Sequence, residues 1–405
     1  MFDPTNLTTS FLEGKRQITD PLADEVVATI IDEGYEKHIN EIFIKLARNP
    51  SFNPELLSDF PEAIQQAVSD YFDKSGQLPD WADQELISEG EEVFALYGPE
   101  VFMLLNVKSL PMCYTCAHGA RVLYDTGRLV EHNGKMDPLV RRLMETAQMV
   151  INVLQPGGLS GEGSGIITVQ KVRLIHASIR HFLQSPKYNP AGWDSSTLGK
   201  PINQEDLAGT LMSFSPIILS GLKALNIDLT DRQIAAYTHC WKVVGHLIGL
   251  DEDLLADTYE DNWQLAVKIL QHQASASTEG KKLTESCLAF IRHMMPGNLL
   301  DEVPEYMMWY FFQDVEKATE LQLSEMIGIE NHHRLSDFLL LKLSRIITGK
   351  ISEAEHSNII KKLTGRFNKY MLQGYINHYN DGKKVRFFIP PSLTKNWNLD
   401  QFTND

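Results

Sequence analysis

Lys171-Val172-Arg173-Leu174-Ile175-His176-Ala177-Ser178-Ile179-Arg180-His181-Phe182-Leu183 is the stretch on which the reading of this chain turns. At about 3.6 residues per turn it forms a helix on which Arg173, His176 and Arg180 fall at i, i+3 and i+7 and share a face. Val172, Ile175, Ile179 and Phe182 make an apolar stripe beside them. An imidazole thus stands at the edge of an apolar seam between two fixed cations. Two readings are open. In the structural one, His176 is a capped or solvated side chain that happens to lie between arginines. In the chemical one, histidine ligates iron, the apolar neighbours pack a tetrapyrrole, and the guanidinium forks match its propionates, so the helix suits a haem.

The neighbouring segments extend the helical pattern in both directions. Upstream, Asp137-Pro138 is a helix start, with a capping acceptor followed by proline at the first helical position. Leu143, Ala147, Val150, Ile151 and Leu154 form its buried stripe, and Arg142, Glu145, Thr146 and Met149 recur on an adjacent face at i, i+3, i+4 and i+7. In isolation that face reads as an exposed flank with an Arg–Glu pair. The stretch from Gly157 to Gly165 lacks the Lys-Ser/Thr of a phosphate loop and the strand that precedes a dinucleotide fingerprint, so it reads as a flexible link. Two helices joined in this way can pack face to face, with Glu145 and Thr146 approaching a flat cofactor from one side and His176 from the other. Downstream, Asn203-Gln204-Glu205-Asp206 opens a helix carrying Thr210 and Phe214. Thr230-Asp231-Arg232-Gln233 forms a capping box for a helix that turns Tyr237, Trp241, Val244 and Ile248 inward and uses Gly245 for close packing. His239 and Cys240 read as structural. Residues 20–110 read as helices with turns at Asn49-Pro50, Asn53-Pro54 and Leu78-Pro79-Asp80. Asp83 to Glu92 reads as a solvated acidic face, and Val101 to Leu105 as core.

Arg-x-x-His-x-x-x-Arg-His, as Arg173, His176, Arg180 and His181, resembles the signature helix of the latex-clearing protein (rubber oxygenase) family and of the membrane-bound fungal oxygenases of the mycophenolic acid pathway. Further pieces occur in matching order over roughly residues 100–255: Asp125-Thr-Gly-Arg128-Leu, Arg141-Arg142-Leu-Met-Glu145-Thr146-Ala, Gly199-Lys-Pro201-Ile-Asn203-Gln204-Glu-Asp206-Leu-Ala-Gly-Thr210 with Phe214-Ser215, and Trp241-Lys-Val-Val-Gly245-His-Leu-Ile-Gly249. The resemblance implies an all-α protein with a globin-like helical core around a b-type haem and additional helices outside it. It implies His176 as the proximal iron ligand, and assigns Arg173, Arg180 and Thr210 to the propionates or to the polar shell that holds them. His181, about 140° from His176 around the helix, has a less defined place in the cofactor site. Where members of the family carry a lysine and a threonine after the matching arginine, this chain has Glu145-Thr146. A carboxylate cannot replace a neutral amine ligand, but it can take up an allylic proton. The catalytic set is therefore expected to be Arg142, Glu145 and Thr146, in an oxygenase that uses O2 or peroxide on an apolar unsaturated substrate such as an isoprenoid double bond or another unsaturated lipid. A peroxidase or peroxygenase with Arg142 and Glu145 handling O–O cleavage, a non-catalytic haem sensor, and an acidic helical scaffold without cofactor are the alternatives.

Composition is compatible with this. A chain of 405 residues with 43% hydrophobic content can bury a sizeable core,. The organisation expected is an N-terminal helical extension over residues 1–100, a haem-binding core over 101–260 and C-terminal helices over 261–405. A net charge of −16 argues against nucleic acid or an anionic membrane surface as the main partner,. Cys113, Cys116, Cys240 and Cys287 are too few and scattered for a disulfide framework, which suits a reducing compartment. Met1-Phe-Asp-Pro-Thr-Asn-Leu has neither a basic n-region nor an apolar h-region, so a cytoplasmic location is expected, unlike the exported rubber oxygenases. No run of about 18 apolar residues is evident, so no transmembrane helix is expected. Cys113-Tyr-Thr-Cys116-Ala-His118 fails as a c-type haem motif because Ala117 intervenes. A di-iron centre would need two Glu-x-x-His motifs, and Glu353-Ala-Glu-His356 is one. The tail segment Val385-Arg-Phe-Phe-Ile-Pro390 reads as an extended arm.

Overall fold

Capping side chains set the helix starts. Asp20 accepts a hydrogen bond from the Ala23 N–H (3.5 Å) with Pro21 at the first position, Asn203 Oδ1 accepts from Asp206 N–H (3.0 Å), and Thr258 Oγ1 accepts from Asp261 N–H (3.1 Å),. The computed structural model describes residues 2–48, 51–126, 137–161, 163–294 and 303–329. Over these the chain runs α1 (Thr9–Lys15), α2 (Pro21–Asp32), α3 (Ile39–Arg48), α4 (Glu62–Ser75), α5 (Gln84–Leu104), α6 (Leu110–Tyr114), α7 (Ala117–Asp125), α8 (Asp137–Leu154), α9 (Ser164–Gln184), α10 (Ser195–Leu198), α11 (Gln204–Phe214), α12 (Pro216–Ala224), α13 (Asp231–Leu247), α14 (Tyr259–Gln273), α15 (Thr278–Met294), α16 (Val303–Thr319) and α17 (Leu323–Met326). Among the described residues the only β pairing is an isolated bridge between Cys116 and Ala274, so the fold is all-α, as expected. The Glu353–His356 and Val385–Pro390 segments and Gly127–Leu129 lie outside the described residues.

The chain divides into two units, each assembled from three separate stretches. One comprises residues 1–94, 149–212 and 232–272; the other comprises residues 95–148, 213–231 and 273 onward. In the first, Ala23, Val26, Val27 and Ile30 of α2 recur at i, i+3, i+4 and i+7, the spacing of one buried face,. They meet Ile39, Ile42 and Leu46 of α3, Ile64, Val68, Tyr71 and Phe72 of α4, and Leu174 and Ala177 of α9. Polar bonds fix the register of α9 on this layer. The Tyr71 hydroxyl donates to the Gln170 carbonyl (2.7 Å), and Gln170 Nε2 donates to the Phe72 carbonyl (2.7 Å) and to Ser75 Oγ (2.8 Å).

In the second unit, α5 continues through a π turn over Leu105–Ser109 into α6. Pro111 has no N–H to donate, and the Leu110 N–H bonds back to the Leu105 carbonyl, five residues earlier,. Val101 to Leu105 is buried, as its apolar run predicts. The π turn also buries Lys108 completely, where its Nζ donates to Ser220 Oγ (2.7 Å) and to Asp314 (2.7 Å).

Two helical stretches, Gln84–Tyr114 and Gln204–Ala224, are long and apolar enough to cross a membrane, contrary to the expectation from the sequence. The continuous helix across the π turn tolerates scattered polar residues that interrupt a simple apolar run. In the protein, 67% and 78% of their apolar windows are buried, which accounts for the composition by core packing,.

Candidate functional site

α9 starts from a close turn. A Cβ on Gly158, Gly163 or Gly165 would fall under 3.0 Å from backbone carbonyl atoms of Asn152, Val153 or Gly158. The Gly157–Gly165 stretch is therefore not the flexible link expected; its glycines let the end of α8 and the start of α9 touch. Across this turn Asn152 Nδ2 donates to Thr168 Oγ1 (2.9 Å). Glu91 is 4% exposed and its carboxylate accepts from the N–H groups of Gly157 (2.7 Å) and Leu159 (3.3 Å). Burial pushes its carboxyl above the usual range, and the backbone donors oppose that. Glu91 thus departs from the solvated acidic face predicted for Asp83 to Glu92.

The arginines of α9 form its inner face. Arg173 Nε and Nη2 donate to the two carboxylate oxygens of Asp20 (2.5 and 2.7 Å), and Nη1 donates to the Leu247 carbonyl (3.2 Å). Arg180 Nε donates to Asp24 (2.7 Å), its Nη2 lies 2.6 Å from the same oxygen, and Nη1 reaches the Ile202 carbonyl (3.4 Å). Both guanidiniums and Asp20 are buried. Such forks fix geometry as well as charge. Removing one partner would leave a buried charge uncompensated, at about 3–5 kcal/mol.

His176 lies beside this face, half-buried, with Nδ1 shielded from solvent. Val172, Ile175 and Ile179 are half-buried too, and Phe182 packs on the edge of the first unit's core. The predicted apolar stripe exists, but the deep core contacts of α9 come from Leu174 and Ala177. Burial pushes the Lys171 amine on the same helix down to about 8.

His181 lies away from His176 and pairs through Nε2 with Glu36 Oε1 (3.0 Å), while Glu36 Oε2 accepts from Lys187 Nζ. The Lys187 hydrogen bond is the main cause holding Glu36 below the usual carboxylate range. Thr210 is exposed on α11, and its hydroxyl donates to the Asp206 carbonyl one turn back (2.9 Å). Glu145 and Thr146 are half-buried on the part of α8 that belongs to the second unit, whereas His176 belongs to the first. Arg142 lies on α8 with its side chain outside the described residues.

Sequence reasoning missed a second polar cluster of the first unit. Arg16 (1% exposed) pairs with Glu205 (0% exposed, 3.3 Å) and Asp206 (3.2 Å), and His272 Nδ1 meets Glu205 Oε1 at 2.6 Å. Burial raises the Glu205 carboxyl against the opposing effects of His272 and Arg16. No local motif marks a contact between residues so far apart in the chain. Asp20 was in principle findable, because Asp20-Pro21 carries the same helix-start signature as Asp137-Pro138.

These features define an all-helical protein whose central helix presents a half-buried histidine with an apolar flank between two ion-paired arginines. The catalytic-domain model of the ER-bound oxygenase mpaB/B'/rubber oxygenase family matches residues 103–336, and the chain belongs to that family. A rubber oxygenase of Streptomyces sp. (strain K30) is 24% identical over 283 residues, 69% of this chain and 65% of that protein, so the chain spans about two thirds of that relative's length. The solved structure of latex clearing protein in the closed state shares the fold, with a TM-score of 0.67 at 19% identity over 93% of this chain and 95% of that one.

Proposed function

We propose that this protein is a haem b-dependent oxygenase that acts with O2 on an apolar unsaturated substrate, with oxidative cleavage of an isoprenoid carbon–carbon double bond as its reaction class. The observation that carries this reading is the composition of α9: a half-buried imidazole flanked by half-buried Val172, Ile175 and Ile179, on a helix locked through both arginines. That donor set fits a haem, since a single histidine can ligate iron while apolar side chains cover the macrocycle. His176 would hold the iron. Bound there, haem supplies the activation of dioxygen. Membership of an oxygenase family supports the reaction class, and the relative's name, rubber oxygenase, supports a polyisoprene-like substrate.

The chain's own residues take the remaining roles. Of the two roles open for Arg173 and Arg180, their pairing with Asp20 and Asp24 favours the polar shell over direct propionate contact. Thr210, exposed on α11, and His181, turned to Glu36, make no contact that supports such a role. The Glu145 carboxylate accepts the allylic proton of the substrate, with Arg142 and Thr146 beside it in sequence to orient and stabilise the charge.

The test is an absorption spectrum of protein supplied with haem, recorded beside His176→Ala. A Soret band in the wild type that is lost or displaced in the variant is expected; no band in either overturns the reading. With prenyl lipids, oxygen uptake and carbonyl products should fall about 100-fold or more in Glu145→Gln. Equal turnover removes Glu145 from the reaction, and consumption of H2O2 without O2 replaces the oxygenase by a peroxidase.

A further inference from the structure

The region matched by the family model begins at residue 103, yet the two carboxylates that hold the His176 helix come from before it. Asp20 caps α2 and grips Arg173, three residues before His176. Asp24, one turn further along α2, grips Arg180, four residues after His176. The two arginines are seven residues apart, so they lie within about 20° of each other around the helix and about 10 Å apart along it. Pairs placed so resist both rotation of α9 about its axis and sliding along it. A single pair would leave one of these motions open.

The segment that delivers Asp20 is itself pinned. The Lys200 N–H donates to the Arg16 carbonyl (2.9 Å), the Gln204 N–H to the Ile18 carbonyl (2.9 Å), and Gln204 Nε2 to the Thr19 carbonyl (2.9 Å). Lys15 anchors the same stretch on Asp251 (2.8 Å) and Asp253 (2.7 Å). The strap over residues 15–20 is therefore tied to α11 and to the turn after α13 before it reaches Arg173.

We propose that Asp20 and Asp24 are positioning residues for His176: by gripping Arg173 and Arg180 they set the rotation of α9 that keeps the imidazole and its apolar flank at the edge of the buried face. The proposal rests on the haem reading only in giving that orientation a purpose. Neither aspartate touches the reacting groups; each acts through an arginine.

The test uses Asp20→Asn, which keeps the oxygen that caps α2 and removes the charge that faces Arg173. In protein without haem, diethylpyrocarbonate labelling of His176 is followed by peptide mass spectrometry. Labelling should rise towards the rate in the denatured chain while the helical circular dichroism is retained. Haem affinity, from titration of the Soret band, should fall about 10- to 100-fold, as for other residues that orient a metal ligand. Lys45→Met, which breaks the exposed Lys45–Asp59 pair in the same unit, should change neither measurement. Should Asp20→Asn fail to fold, Asp24→Asn takes its place, because the Asp24 side chain is 33% exposed and Arg180 keeps the Ile202 carbonyl. A folded variant with wild-type His176 labelling and wild-type haem affinity overturns the proposal, as does an equal change in Lys45→Met. Wild-type haem affinity in His176→Ala overturns the haem reading alone, since the labelling experiment involves no haem.

Discussion

Gly249 lies against the guanidinium of Arg173, so close that a Cβ there would stand 2.7 Å from Cζ. Its φ of +87° is also a conformation that side chains disfavour,. Gly249→Ala therefore meets two penalties, backbone strain and displacement of a buried ion pair, and should cost about 2–4 kcal/mol. Urea unfolding followed by circular dichroism checks this. A neutral result would mean that Arg173 can withdraw from Asp20 at little cost.

The Lys108–Asp314 pair should respond asymmetrically. Lys108 is fully buried, whereas the Asp314 side chain is 36% exposed, and burial pushes the lysine amine down against the pull of Asp314. Lys108→Met removes the buried charge and keeps the volume, so stability should change by less than about 1 kcal/mol. Asp314→Asn strands the ammonium and should cost about 3 kcal/mol. Denaturant titration of both variants decides it, and equal effects would contradict the asymmetry.

Acid should weaken the first unit through His239 and His246. His239 Nε2 accepts the Asp83 N–H (2.9 Å), which requires an unprotonated nitrogen, and both rings stand edge-on to Trp81. Burial, chiefly, pushes both imidazoles below the ordinary value of 6.5. The folded state then binds fewer protons than the unfolded chain below that pH, so the stabilisation is complete above about 6.5 and is lost as pH falls beneath it. Glu91 and Glu205, whose carboxyls burial raises, act in the opposite sense, binding protons more readily in the folded state. Comparing the drop in Tm between pH 7.5 and 5.5 for wild type and His239→Gln isolates the histidine; an unchanged slope would remove it as the cause.

Thiol chemistry should be slow at Cys113, Cys240 and Cys287. Burial raises Cys113 to about 11 and Cys287 to about 12, and Cys240 is pushed up further still. At pH 8 fewer than about one in a thousand of these thiols is ionised, and thiolate is the reactive form. Ellman's reagent should therefore react slowly with these three thiols in the native protein and rapidly with all four cysteines after denaturation. Rapid reaction of Cys287 would show that α15 opens.

Local rules carried the sequence reading far. The helix start at Asp137-Pro138, the inward Tyr237, Trp241 and Val244, and the tight packing at Gly245, where a Cβ would come within 2.6 Å of Leu255, follow from spacing and side-chain size. What periodicity could not give was the inner face of α9. Spacing placed Arg173 and Arg180 on one face but could not name their partners, because Asp20 and Asp24 lie over 150 residues away in the chain. Glu91 misled for the same reason: a carboxylate looks solvated until the backbone donors of Gly157 and Leu159 are seen to meet it. The glycines from Gly157 onward read as slack because composition cannot distinguish a loose linker from a backbone contact that only glycine permits.

The order of these partners along the chain bears on biosynthesis. Asp20 and Asp24 leave the ribosome long before Arg173 and Arg180. The two guanidiniums emerge after the carboxylates that hold them, and Leu174 and Ala177 arrive with them to complete the same apolar cluster. The histidine helix thus closes a core whose other walls precede it in the chain.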